Sequence, residues 1–504
     1  MRSKNAFYNI TSNILLQLIT IIYGFIVPKI IISSFGSNVN GLISSITQFL
    51  AYITLLESGF GPVVRASLYK PIASKNNKTI ANILKTSEKF FRKIAYIFLA
   101  YIFILSILYP LLVSKNFDYL YTISLIIIIA ISTFAEYFFG MTYRLFLQAK
   151  QKNYVISIIQ IGTYLLSIIV IIILTRLEAN IQIIKLISGI VFIFRPLLQN
   201  LYVKKKFDIN LKNADNNYQL KNKWDGLAQH IASVIHSNTD ITVLTFFCSL
   251  NEVSVYSVYY LVIKGIKSLI QAFTNGIDSS FGDMIAKEEY ENLNEKFNLY
   301  EIGYFTLCTI VFICTMILIV PFISVYTKGI TDTNYIRPLF GYLIVISEYI
   351  WAVRLPYSSI TLAAGHFKET RRGAWIEAIV NIIISIFLVK IYGIVGVAIG
   401  TIIAMLIRTI EFIYHSNKYI LKRKIFISVK KVILIAIETL ICVFISRKIN
   451  IVWEINYFNW FINALIIFAI NSVIILAINI IVYKNEFKKI FIIIMKILRR
   501  KIHK

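Results

Sequence analysis

Long apolar stretches alternate with short polar ones along almost the whole chain. A membrane-crossing helix needs about 20 mostly apolar residues, and fourteen segments meet that length: 8–33, 41–62, 91–114, 118–140, 154–175, 180–203, 226–249, 252–275, 298–326, 336–360, 373–392, 393–416, 429–449 and 457–483. The seventh is the most polar, with His230, His236 and Asp240, and Gly393 divides the eleventh from the twelfth. The pattern predicts an all-α integral membrane protein of about 14 transmembrane helices.

Composition agrees. Hydrophobic residues make up 58% of the 504 and charged residues only 15%, against about 25% charged in soluble domains, and the mean hydropathy is +0.72. These values exclude a soluble enzyme and a nucleic-acid-binding domain. The net charge of +27 reads instead as basic loops on the side of the membrane that keeps Lys and Arg, facing anionic lipids. With the N-terminus inside, 40 of the 52 Lys and Arg residues fall on inner segments and eight on outer ones. That asymmetry predicts an even number of spans in the inner cell membrane, with both termini cytoplasmic. The start, with Arg2 and Lys4 before a long apolar run and no small-residue cleavage site, reads as a retained first helix.

The loops leave no room for a catalytic domain. Neither a GxxxxGK[ST] phosphate loop nor GxGxxG or HExxH occurs, so transport energy would come from an ion gradient, the membrane potential or the substrate's own gradient. No cofactor is expected; a proton or sodium ion is the coupling candidate. Cys248, Cys308, Cys314 and Cys442 lie in or beside apolar runs and read as small buried side chains. His366 and His415 read as loop residues, and no histidine pair has metal-ligand spacing in sequence, so no metal site is expected.

Two echoes suggest a duplication. Phe35-Gly36-Ser37 before Asn38-Val39-Asn40-Gly41-Leu42 resembles Phe247-Cys248-Ser249 before Leu250-Asn251-Glu252-Val253, 212 residues on. Leu147-Gln148-Ala149-Lys150 resembles Leu362-Ala363-Ala364-Gly365, about 215 residues on. The expectation is two pseudo-symmetric six-helix bundles, 1–203 and 226–416, around a central cavity. A polar linker, 204–225, joins them, and an additional helix pair with a basic tail occupies 417–504.

Charges inside spans are the candidate chemistry, because each costs at least about 2.5 kcal/mol at mid-bilayer without a partner. Lys29 follows Pro28 in the first span. Lys264 and Lys267 share a face of the eighth, Lys267 near enough to the inner end to snorkel and Lys264 deeper. Arg65 closes the second span with Glu57, Gly59 and Gly61. Asp240 sits mid-span one turn from His236 and is a candidate ion-linked carboxylate. Glu136, Arg195 beside Pro196, Arg354 below Glu348, Glu377, and Arg408 with Glu411 form one layer of balanced acids and bases, the pattern of a salt-bridge gate.

On these residues the chain resembles the multidrug/oligosaccharidyl-lipid/polysaccharide (MOP) exporter superfamily, particularly the polysaccharide transporters related to O-antigen flippases. The likeness rests on Asn9-Ile10 to Pro28-Lys29, Phe35-Gly36 to Asn40-Gly41-Leu42, Leu55-Leu56-Glu57-Ser58-Gly59-Phe60-Gly61-Pro62, Leu362-Ala363-Ala364-Gly365, and Gly393-Ile394-Val395-Gly396-Val397-Ala398-Ile399-Gly400. The resemblance implies a flippase that moves a polyprenyl-diphosphate-linked oligosaccharide across the membrane by alternating access. Its partners would be that lipid-linked oligosaccharide, anionic membrane lipids and polysaccharide-assembly proteins, with no nucleic acid. A diphosphate calls for buried cations, which assigns Lys29, Arg65 and Lys264 to substrate and Asp240, Glu57, Arg195, Arg354 and Arg408 to coupling or gating. Two other readings share the fold, a cation-coupled multidrug antiporter and a peptidoglycan-precursor lipid flippase. A membrane enzyme fits poorly, for want of outer loops and of a nucleophile beside His236.

The charge count makes a direct prediction. Reporter fusions after residue 504 and within 204–225 should both report the cytoplasmic side, and a fusion between residues 328 and 336 the outer side. Opposite signals from the first two would show that the span count is odd between them.

Overall fold

The computed structural model describes residues 2–57, 59–207, 209, 214–215, 227–274, 277–448 and 454–502, so most of the expected linker lies outside the described residues. Among them there is no strand. The helices run in order as α1 (Arg2–Phe35), α2 (Ser37–Ala51), α3 (Thr54–Glu57), α4 (Phe60–Ala73), α5 (Asn77–Val113), α6 (Tyr119–Ala135), α7 (Met141–Ala149), α8 (Asn153–Arg176), α9 (Ile181–Lys206), α10 (Leu227–Phe247) and α11 (Leu250–Thr274). They continue as α12 (Ile277–Ala286), α13 (Tyr290–Tyr326), α14 (Pro338–Ala363), α15 (Arg371–Tyr392), α16 (Ile394–His415), α17 (Phe426–Lys448), α18 (Tyr457–Val482) and α19 (Lys484–Ile502). Single π-helical turns, Glu136–Gly140 and Ser416–Ile420, follow α6 and α16.

Twelve helical segments among the described residues are long and apolar enough to cross a membrane, and the chain is a multi-pass membrane protein. The other two expected spans are present as α10 and α17. Gln229, Asn238 and Asp240 lower the hydropathy of α10, and Lys430, Lys431 and Glu438 interrupt α17. Several helices reach well beyond their apolar stretch. Much of the basic segment 63–93 is helical, in α4 and α5, because hydropathy registers where a helix meets lipid and not where its hydrogen-bond ladder ends.

Helix starts follow from local chemistry. Asn76, Asp118, Asn180 and Asn456 each accept a hydrogen bond from a backbone N–H two or three residues on, as N-cap side chains do. The polarity pattern is then inside out. On α18 the buried face is Asn463, Ile467, Asn471, Ile475 and Asn479, while Val473 and Ile481 are 68% and 77% exposed. Lipid tails are as apolar as isoleucine, so polar and small side chains hold such helices together.

The chain divides into two compact units, 1–257 and 258–504. The division falls inside α11, so α10 lies with the first unit. There α1 packs on α8, and α9 on both α6 and α8. The segments that echo one another in sequence touch. Asn40 donates to Ser254 Oγ (2.8 Å) and Ser257 Oγ (3.2 Å). A Cβ on Gly41 would stand 1.8 Å from the carbonyl oxygen of Leu250, so only glycine allows this approach. Polar pairs extend the contact of α2 and the following Tyr52 along α10, through Ser45–Thr245 (2.7 Å), Gln48–Asn238 and Tyr52–Thr242 (2.9 Å).

In the second unit α16 packs on α14 and α15, and α13 on α14, α17 and α18. One carboxylate ties the C-terminal helices to α13. Glu301 is fully buried. It accepts from Arg423 (2.9 Å), Lys431, Tyr357 and Ser428. Removing one partner of a buried ion pair costs about 3–5 kcal/mol, because the other charge is left uncompensated. Glu301→Ala should therefore lower the thermal unfolding temperature of the detergent-purified protein steeply, with a loss in that range. A variant as stable as wild type would show that Arg423 and Lys431 find other partners.

Candidate functional site

Three irregular backbone features of the first unit converge on one cavity. The second expected span does not run through: it breaks between α3 and α4 at Gly59, whose φ of 77° is left-handed and suits glycine. The α6–α7 axis is broken by the π turn Glu136–Gly140, a feature that re-aims side chains and recurs at functional sites. In α9, Pro196 cannot donate to the helical ladder, and its ring abuts the π turn so closely that a Cβ on Gly140 would be 2.7 Å from Pro196 Cβ.

The cavity of about 560 Å³ is lined by Glu57, Arg65, Glu136, Arg144 and Arg195, with Thr133, Gln148 and Gln160 among its neutral polar groups. Glu57 Oε2 accepts from Tyr137 Oη at 3.1 Å, and Arg144 pairs with Glu136 at 3.2 Å. Arg65 donates to the neutral Oε1 of Gln148 at 3.3 Å. Arg195 donates from Nε to Thr163 Oγ1 at 2.6 Å, and its guanidinium lies 4.1 Å and 4.3 Å from the ring centres of Phe192 and Tyr164. Its Nη2 is buried with no hydrogen-bond partner among the described residues. Three guanidinium groups thus face two carboxylates, and among the described residues neither Arg65 nor Arg195 forms an ion pair with a carboxylate. Just past α7, outside the spans, Lys150 and Lys152 lie 5.5 Å and 5.2 Å from the ring centre of Phe207. Burial, and then the Lys152 charge, hold the Lys150 ammonium below its ordinary pKa.

The second unit holds a closed charge network. Arg354 of α14 pairs with Glu377 of α15 at 2.6 Å. Arg408 of α16, 2% exposed, reaches Glu377 at 3.7 Å, Glu411, and the carbonyl of Thr370 at 2.7 Å. Gly373 leaves the room that the Glu411 carboxylate fills, since a Cβ there would be 1.5 Å from Glu411 Oε2. Lys267 pairs with Glu348 at 2.7 Å and lies 4.4 Å from the ring centre of Trp351.

The residues singled out from sequence therefore fall in separate places. Glu57, Arg65 and Arg195 share the cavity, and Arg354 and Arg408 share the network. Lys29 is half-buried on α1 and does not line the cavity. Lys264 is exposed on α11, whereas Lys267, which the sequence places in a snorkelling position, is the lysine that is paired. Asp240 accepts from Tyr256 Oη at 2.8 Å; the side chain of His236 lies outside the described residues. Arg144, which lines the cavity, is not among the residues that the sequence singles out. Glu301 and Glu438 were missed although each is an acid in or beside an apolar run, the signal that flagged the others. Spacing in sequence also missed a histidine pair, His366 Nδ1 and His415 Nε2, which meet at 2.9 Å. Among the described residues no group of three or more His, Cys, Asp or Glu could hold a metal.

No protein-family model and no curated protein sequence matches the chain. Its fold is that of transporters of the MOP superfamily. The chain is similar to the lipid II flippase MurJ in an inward closed conformation, with a TM-score of 0.67 at 17% identity over 94% of this chain and 98% of that one. It is similar to a multidrug resistance MATE family transporter in an inward-facing conformation, with a TM-score of 0.63 at 12% identity over 80% of this chain and 95% of that one. A Vibrio cholerae MATE transporter gives 0.57 at 15% identity over 83% of this chain and 98% of that one. At these identities the likeness establishes the fold.

Tyr137 tests whether the Glu57 carboxylate is held in place. A hydrogen bond to a charged group contributes about 1.5–3 kcal/mol. Tyr137→Phe, which removes only the hydroxyl, should lower stability within that range, measured by thermal unfolding in detergent.

Proposed function

We propose that the protein is a flippase of the inner cell membrane that translocates a polyprenyl-diphosphate-linked oligosaccharide, a repeat unit of a cell-surface polysaccharide, by alternating access, with both termini cytoplasmic. The observation that carries this reading is the pair Arg65 and Arg195, two guanidinium groups on neutral partners at the wall of a 560 Å³ cavity. Three guanidinium groups against two carboxylates leave one positive charge unanswered in the cavity, which is costly in a membrane bundle, and an anionic ligand relieves that cost. A diphosphate presents several acceptor oxygens to planar guanidinium forks, and the neutral hydroxyls and amides of the cavity suit the adjoining sugar. The polyprenyl tail stays in lipid while the headgroup crosses. Lys29 and Lys264 would meet the substrate elsewhere on its path. Glu57, Asp240 and the Arg354–Glu377–Arg408–Glu411 network would gate or couple movement to a proton or sodium ion.

A peptidoglycan-precursor flippase is the second reading, supported by the similarity to a lipid II flippase over 94% of the chain; it uses the same diphosphate chemistry and differs in the sugar. A cation-coupled multidrug antiporter is disfavoured by the surplus of guanidinium over carboxylate in the cavity.

Translocation of lipid-linked donors in proteoliposomes tests this. Losing a charge-assisted contact worth about 1.5–3 kcal/mol corresponds to about tenfold or more in rate. Arg65→Gln and Arg195→Gln should each slow flipping by at least that factor while the protein remains folded. Wild-type rates in both would remove the cavity as the headgroup site. Movement of polyprenyl-linked oligosaccharide but not of the peptidoglycan precursor would choose between the two flippase readings.

A further inference from the structure

The C-terminal helices hold a second buried acid that the transport reading does not use. Glu438 lies near the middle of α17, twelve residues from its start and ten from its end. At 1.5 Å per residue that is about 15 Å of helix on either side. It is 1% exposed. Its Oε1 accepts from Asn479 Nδ2 of α18, and among the described residues it has no ion-pair partner.

Lys431 stands seven residues earlier on α17, two turns away and on the same face. Its ammonium donates to Glu301 and Asn298. Between Lys431 and Glu438 is a small cavity of about 10 Å³, lined also by Thr306, Asn479 and Tyr483, about the room that one water needs. The ionisable groups around Glu438 are Lys431 and Cys442 on its own helix, Tyr483 after α18, and Tyr349 from α14, whose hydroxyl is bonded to Thr309 at 2.6 Å, with Cys314 and Glu301 of α13 and Glu486 of α19 in contact with that group. Thr306 and Phe305 of α13 and Asn479 of α18 bring no charge. Nearby, Arg423 and Lys431 share the carboxylate of Glu301, and Glu486 of α19 adds a second acid beside Lys431 and Tyr483. A buried carboxyl whose partner is a neutral amide and which borders a water-sized cavity is placed to change protonation state, and an ionisable group inside a membrane helix bundle is by default the first place to look for function.

We propose that Glu438 is a proton-binding site built into the C-terminal helix pair. The proton sits on its Oε2 and exchanges through the one-water cavity past Lys431 and Tyr483. On release the O–H bond of the acid breaks, the proton passes to water and leaves along that route, and the carboxylate that remains keeps Asn479 as its donor and faces the cavity that Lys431 also lines. With the proton bound the carboxyl is neutral and holds Asn479 by a neutral hydrogen bond. This site belongs to the second unit alone and does not depend on the identity of the substrate.

The test is infrared difference spectroscopy of the full chain in lipid nanodiscs during a pH titration. A protonated-carboxyl carbonyl band that shifts in deuterium oxide should disappear as pH rises and be absent from Glu438→Gln, which keeps an acceptor for Asn479. Lys431→Gln, which removes the nearby charge, should move the titration midpoint to higher pH. An unchanged band in folded Glu438→Gln overturns the proposal, as does a chain with no titrating carboxyl over the pH range in which it stays folded. Should Glu438→Gln fail to fold, Glu438→Asp keeps an acid at the position and should shift the midpoint; an unmoved midpoint there overturns it equally.

Discussion

Inside a bilayer no water answers a charge, and the charged groups of this protein are arranged around that constraint. Each buried carboxylate or guanidinium must meet a group of opposite sign, a set of hydrogen bonds, a water-filled space or a ligand. The second unit meets the requirement internally. Arg354, Glu377, Arg408 and Glu411 join three helices with two charges of each sign, and Glu301 gathers Arg423, Lys431 and two hydroxyls onto α13. The first unit does so only in part. Glu136 answers Arg144, while Arg65 and Arg195 face a cavity with neutral partners. The difference between closed networks and an open one separates what holds the bundle together from what is available to a ligand.

The open site depends on broken helices. A regular helix satisfies its own backbone but presents side chains in a fixed rotation. The left-handed turn at Gly59, the π turn after Ala135 and the proline after Arg195 each interrupt that rotation where the cavity lies. Irregular backbone at membrane depth is tolerated where it is buried in protein or borders a polar space, so cavity and irregularities support one another. The close fit of Gly140 on Pro196 ties two of the three together.

Much of this was legible in the amino-acid pattern, and the exceptions have physical causes. Apolar runs located the spans, including the division at Gly393, because transfer into lipid depends on composition over about twenty residues. The same reading left the helical stretches of α4 and α5 within 63–93 outside its spans, since a polar helix carries no hydropathy signal. The expensive charges Glu57, Arg65, Arg195, Arg354 and Arg408 stood out against an apolar background, and all five fall in the cavity or the network. Choosing between neighbours was another matter. Lys264 and Lys267 lie on one face of α11, yet Lys267 meets Glu348 of α14 and Lys264 is exposed. Only the packing of the two helices distinguishes them.

The sequence by itself determined that the chain is an all-helical, multi-pass membrane protein, which residues are costly to bury, and where glycine and proline interrupt the spans. These are properties of single segments and their transfer energies. Tertiary structure decided which charges meet. It paired His366 with His415 across 49 residues, set Glu301 among Tyr357, Arg423 and Lys431, and left Arg65 and Arg195 facing a common space. Partnership inside a membrane is a matter of ångströms between side chains on different helices. No periodicity along one helix encodes the rotation of the next.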